Sequence, residues 1–153
     1  MSIEAKLREL QLELPPPPKP AGVYQPVVVV GNLAYVSGHG PLLPDGTMLT
    51  GKVGAAVDQE GGYRAARQTA LAILASLQAK LGSLDRLRRV VKTLGMVNCT
   101  ADFTQHPAVI NGASDLFREL LGPDLGVGAR SAVGMGSLPG NISVEIEMIV
   151  EVA

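Results

Sequence analysis

The chain has no tryptophan, one cysteine, two histidines, two phenylalanines and three tyrosines in 153 residues. Each scarcity excludes something. Cys99 stands alone, so it forms no intrachain disulfide and completes no CxxC metal or redox motif. Within GMVNC it reads as a small buried apolar residue rather than a nucleophile. His39 and His106 are not at a ligand spacing such as HxxxH, which gives a zinc site no starting point. So few aromatic rings make no platform for stacking RNA bases. An excess of one charge is missing too: 13 Lys and Arg stand against 14 Asp and Glu. That balance leaves no field to gather nucleic acid or an acidic membrane. The RLRRVVK run (86–92) is the one basic cluster, and it reads as the solvated start of a strand. No run approaches the ~18 apolar residues of a membrane span. Residues 1–14 are charged and amphipathic, unlike a signal peptide. A cytoplasmic protein with no nucleic-acid or membrane partner is expected.

What remains is aliphatic. Hydrophobic residues make up 46% of the chain against 3% aromatic, so the apolar content is Ala, Val, Leu, Ile and Met. The length suits one compact domain with its own core. Surplus aliphatic surface on so small a body predicts burial between subunits, and an oligomer is expected.

Helical spacing of Ile3, Leu7, Leu10 and Leu14 after a capping Ser2 predicts a helix over 2–13. PPPPKPAG (15–22) stops it, because proline lacks the amide donor and forces extended backbone before it. The helix therefore reads as an appendage that lies on the body beyond a polyproline spacer, either a passive arm or a lid over the site. A division at 1–21 and 22–153 follows. Residues 24–40 hold two strand-like runs broken at Gly31–Asn32, and Asp45–Gly46 marks another turn. From Asp58 to Leu81 the period turns helical, with Ala65, Ala66, Thr69, Ala70, Ile73, Leu74, Leu77 and Leu81 as a stripe and Gly82 as C-cap. A strand over 87–99 follows. The next helix starts near Pro107, runs through Val109, Ile110, Ala113, Leu116, Phe117 and Leu120, and ends at Gly122–Pro123. Two strands close the chain around LPGN (138–141), where Pro139 and Gly140 fit the centre of a type II turn. Read locally, they form a hairpin. The order strand, strand, helix, strand, helix, strand, strand predicts an α/β (α+β) layer with both helices on one sheet face. The open face needs cover, which a second subunit would supply.

Chemistry is sparse. VSGHG is not a GxSxG elbow, and the glycine-rich GVGAR and GMGSLPG lack the strand-to-helix setting and the GK[ST] of a phosphate loop. His106, before a helix-starting proline, reads as structural. His39 in SGHG reads either as a pocket residue or as part of an exposed turn. Arg130 stands among small residues, and Glu145, Glu147 and Glu151 alternate with Val144, Ile146, Met148 and Val150. Arginine can hold a carboxylate through two parallel hydrogen bonds, and a nearby glutamate can hold a water. A surface or interface ion pair is the other reading of the same residues.

ARSAV…LP…VEIEMI (129–149) resembles the C-terminal signature of the RidA/YjgF family of reactive-intermediate deaminases. GNLAYVSGHGPLLPDGTM (31–48) resembles the family's N-terminal signature, while VVKTLGMV (90–97) and VINGASDLFREL (109–120) are similar to its middle strand and second helix. The resemblance covers about residues 22–152, leaving the N-terminal helix and PPPP linker as additions suggestive of a divergent subgroup. It implies a fold like Bacillus-type chorismate mutase: a mixed sheet with two helices on one face. It also implies a homotrimer with inward-facing sheets and sites at the subunit interfaces. The final strand is then expected to insert between earlier strands rather than pair in a hairpin.

The implied activity is hydrolysis of enamines and imines of 2-oxo acids, of the 2-aminoacrylate and 2-iminopropionate type, to the keto acid and ammonia. No metal or organic cofactor is implied. Position by position, Arg130 matches the arginine that binds the substrate carboxylate, and Glu145 the glutamate that positions or activates water. Tyr24, Ser37 and Asn111 match substrate-binding positions. His39, grouped with them, stands where glutamine is usual, and Ala132 where some members carry cysteine. The alternative is a non-catalytic trimer that binds a small carboxylate metabolite or a protein partner. A chorismate-mutase-like rearrangement would need several cations around a dicarboxylate, where only Arg130 is placed. A ribonuclease is disfavoured by the neutral charge and the missing base platform.

Overall fold

The computed structural model describes residues 1–153. Helix α1 (Ile3–Glu9) is followed by strands β1 (Val27–Val30) and β2 (Leu33–His39), the long helix α2 (Gln59–Leu81), strand β3 (Leu87–Asn98), helix α3 (His106–Leu125), and strands β4 (Ala129–Met135) and β5 (Val144–Val152).

Local chemistry explains most boundaries. Val30 pairs with Leu33 across Gly31–Asn32, and Gly31 takes φ 60 to close the tight hairpin. Asp58 caps α2 by accepting from the Gly61 amide at 2.6 Å, and Gly82 ends it in the left-handed region. Regular α3 geometry breaks at Gly122 (φ 86, ψ 171), immediately before Pro123. The α2 and α3 stripes read from the sequence are buried throughout. The two helices cross closely at Gly112, where any Cβ would collide with the Tyr63 carbonyl.

The sheet has the order β1-β2-β5-β3-β4. Its pairs are antiparallel except β3 with β4, which run parallel. The local expectation of a β4–β5 hairpin is therefore overturned, and the inserted final strand implied by the resemblance is what the chain adopts. The turn at LPGN does form: the Asn141 amide donates to the Leu138 carbonyl at 3.1 Å, with Gly140 at φ 62. It is a corner rather than a hairpin loop. The reason lies in β5, whose Val144, Ile146, Met148, Val150 and Val152 are all buried. A strand with so complete an apolar face buries most of it in the sheet centre, and the largely exposed β4 takes the edge.

Both long helices cover the face carrying those residues, and thirty buried side chains form one core between helices and sheet. On the other face Val28, Val30, Tyr35 and Val133 are exposed. Helix α1 corrects one expectation. It stops before residue 13, because Gln11 adopts φ 56 and the Gln11 and Leu12 amides fold back onto the Arg8 and Leu7 carbonyls, a Schellman closure. The helix lies on the body. Ile3 and Leu7 are buried in the common core. The Ile3 amide donates to Asp85 Oδ1 at 3.0 Å and Lys6 Nζ to the Leu120 carbonyl at 2.9 Å.

Candidate functional site

Two clefts hold all but His39 of the site residues expected from the sequence. The first lies between α3 and the β3–β4 edge and encloses about 270 Å³. Its cation is Arg130. Asn111 and Ser114 are three apart on α3 and therefore share a helix face. Arg130 Nη1 donates to Asn111 Oδ1 at 2.8 Å and to Ser114 Oγ at 3.2 Å. Those bonds fix the guanidinium plane and leave Nε and Nη2 free of hydrogen bonds within the chain. Thr93, Phe117 and Met148 contribute to the lining below. An anion offered to this edge meets a pre-oriented fork suited to a carboxylate.

The second cleft, about 670 Å³, is lined by Tyr24, Ser37, Met48, Ile142, Glu145 and Glu147, among others. Ser37 Oγ donates to the Gln25 carbonyl at 2.6 Å, fastening the segment before β1 onto β2. The Tyr24 hydroxyl accepts from the Ala21 amide at 3.3 Å. A Cβ built on Gly38 would lie 2.6 Å from Glu145 Oε2. Glycine at 38 is thus what lets the carboxylate rest on β2. Burial pushes the Glu145 carboxyl above the usual glutamate range, and the charge of Glu147 adds to the shift.

The register separates the two clefts. Arg130 pairs with Thr93 and Thr93 with Met148, so these three side chains share the helix-covered face. Glu145 is three residues from Met148 and points the other way, since alternate strand residues face opposite sides. Within one chain, then, Arg130 with Asn111 and Tyr24 with Ser37 and Glu145 form two separate groups.

His39 joins neither. Both readings offered by the sequence, pocket residue or exposed turn, are corrected: its side chain is 5% exposed and lies beneath α2. Its Nδ1 meets the Ser37 carbonyl at 2.6 Å and its Nε2 meets Ser76 Oγ at 2.7 Å. The cause is a bulge. Val36 pairs with Met148 and His39 with Ile146, so two residues of β2 oppose Glu147 alone and the alternation slips by one.

Several contributors were not singled out beforehand. Ser114 was legible as the i+3 neighbour of Asn111 on α3. Gly38, Met48 and Ile142 carried no signal, because each enters the groove only through long-range contacts. His106 and Cys99 face each other at 3.4 Å, with the His106 ring edge-on to Phe103. No three His, Cys, Asp or Glu side chains gather as a metal-binding group. No helix is long and apolar enough to cross a membrane.

Comparison with known proteins agrees with this architecture. The structure of Atu1372 from Agrobacterium tumefaciens, a protein of unknown function, superposes with a TM-score of 0.90 at 45% identity, covering 99% of this chain and 92% of that one. Protein TCP17 of Trypanosoma cruzi is 40% identical over 149 residues, 97% of this chain and 93% of the relative. A 2-iminobutanoate/2-iminopropanoate deaminase from Dermatophagoides farinae is 28% identical over 140 residues, 91% of this chain and 93% of its own length. The family model described as "YjgF/chorismate_mutase-like, putative endoribonuclease" matches residues 4–150. With nearly the whole length matched and the inserted β5 in place, the chain belongs to the YjgF/chorismate mutase-like family.

Proposed function

We propose that this protein is a homotrimeric deaminase that hydrolyses reactive imines and enamines of 2-oxo acids to the keto acid and ammonia. The observation that carries this reading is the division of Arg130 and Glu145 between opposite sheet faces. A small substrate cannot touch both within one chain. It can do so where the β4 edge of one subunit meets the Glu145 groove of the next. The exposed Val28, Val30, Tyr35 and Val133 on the uncovered face give such an assembly apolar surface to bury, with the sheets turned inward. The deaminase activity named for the Dermatophagoides relative points to the same chemistry.

In this mechanism Arg130 holds the substrate carboxylate through Nε and Nη2, while Asn111 and Ser114 brace Nη1. The protonated imine carbon is already electrophilic, so orientation and one placed water suffice. Glu145 accepts a hydrogen bond from that water and takes its proton as oxygen bonds to the imine carbon. Its raised pKa brings it closer to the operating pH, which suits a general base. Returning the proton to nitrogen makes ammonia the leaving group, and the C–N bond breaks as the hydroxyl gives its proton to Glu145 and becomes the carbonyl. An enamine enters the same path after tautomerising to the imine. Tyr24 and Ser37 line the groove beside the reacting carbon.

The test generates imines from a panel of amino acids with an amino-acid oxidase and reads survival by semicarbazide trapping. Accelerated loss that disappears in a still-trimeric Arg130→Ala protein is the expected result. No acceleration across the panel would leave a trimer that binds carboxylates without turnover.

A further inference from the structure

His39 sits on the helix side of the sheet, away from both clefts, yet its ring is joined to the strand segment on which the Glu145 carboxylate rests. The β2 bulge turns Ser37 and Gly38 out of regular alternation, and a bulge lacks the full ladder that holds a regular strand in place. The Ser37 carbonyl is instead met by His39 Nδ1 at 2.6 Å. A carbonyl only accepts, so Nδ1 carries the proton. Nε2 is then the acceptor, and the Ser76 hydroxyl of α2 donates to it at 2.7 Å. Ser76 is buried and its hydrogen bond with it, while the contact to the Ser37 carbonyl is partly buried. A two-sided, tautomer-defining contact of this kind orients its partner much as an outer-shell hydrogen bond orients a metal ligand.

We propose that His39 is a positioning residue that locks the Ser37–Gly38 bulge to α2 and thereby sets where the Glu145 carboxylate lies. The functional half of this inference rests on the reading of Glu145 as the carboxylate that holds water. Gly38 is the link: with no side chain of its own, its backbone forms the surface against which Glu145 packs, so a bulge that shifts carries the carboxylate's seat with it. Ser76 acts one step further away. Its hydroxyl keeps the ring in the tautomer and rotation that face Ser37.

The test follows Glu145 itself as well as turnover. A 13C titration of the Glu145 carboxyl, assigned by comparison with Glu145→Gln, is recorded for the intact protein and for His39→Leu, His39→Asn and Ser76→Ala. Leucine has no donor for the Ser37 carbonyl. The Glu145 titration is expected to move toward that of an ordinary exposed glutamate, and kcat to fall by about 10- to 100-fold with KM little changed, as for a displaced reacting group. Asparagine places an N–H where Nδ1 stood but does not reach Ser76, and is expected to restore both readings in part. Ser76→Ala, which frees the ring to turn, is expected to shift both in the same direction by less. It also decides the matter if the leucine variant fails to fold. Unchanged titration and kcat in the folded variants overturn the proposal, as does an asparagine variant no better than leucine. If the unaltered protein hydrolyses no imine, the deaminase reading falls, and the Glu145 titration still tests the positioning by itself.

Discussion

Arg130 and Glu145 lie on opposite faces of one sheet, with β3 standing between their strands. Side chains so placed can act on one small molecule only if two chains build the site. Subunit complementation reads this directly. For the proposed trimeric deaminase, Arg130→Ala and Glu145→Gln are each expected to be inactive, whereas assemblies reformed from an equal mixture recover about a quarter of the original activity, since that share of interfaces joins two intact halves. Absence of recovery in properly mixed trimers would place the reaction within one chain.

The charge on Glu145 is expected to cost stability. Its folded carboxyl holds a proton more tightly than an ordinary glutamate, whose pKa is 4.5. The stability it contributes is therefore fully present below the unfolded value and is lost as pH rises through the raised folded one. Above that raised value the charge sits half-buried beside Glu147. Thermal unfolding of Glu145→Gln should show a higher Tm than the unaltered chain at neutral pH, with the difference vanishing in acid. A lower Tm at neutral pH would mean the carboxylate has a stabilising partner.

His39 gives a slope of its own. Burial under α2 lowers its pKa from the ordinary histidine value of 6.5, the Ser37 hydrogen bond opposing the shift. Below that value the unfolded chain takes up a proton the folded ring resists, so stability falls as pH drops through 6.5 toward the lowered folded value. Denaturant titrations across this window should show the loss, and His39→Asn should flatten it. Equal slopes in the two proteins would show that the ring takes up its proton alike in the folded and unfolded chain.

Helix α1 lines neither cleft. Removing residues 1–14 strips Ile3 and Leu7 from the core, a loss of about 3 to 6 kcal/mol at the usual value of a buried aliphatic side chain. Turnover per folded trimer is expected to stay as it was. Altered KM or kcat in a folded truncated protein would return the helix to the role of a lid.

How much of this was legible without coordinates differs by element. The stripes on α2 and α3 were readable because helical periodicity is local and repeats over several turns. So were the turns at Gly31 and Gly46 and the caps at Ser2 and Gly82, each of which depends on one residue's backbone freedom or side-chain oxygen. The end of α1 was not, because Gln11 enters the left-handed region only in company with Leu12 and Leu14, which pack against the body. The site was legible as residue types: one arginine among small residues, and a glutamate on an alternating strand.

By itself, then, the sequence determined the main elements, their core faces and the two groups proposed to hold a carboxylate and a water. Only the tertiary structure decided that β5 lies between β2 and β3, that the bulge turns His39 inward, and that Arg130 and Glu145 face opposite ways. The physical reason is the same in each case. Periodicity and capping act over a few residues, whereas strand order and register follow from which distant edges pair and which apolar face is buried, and a single extra residue in a strand reverses every side chain beyond it.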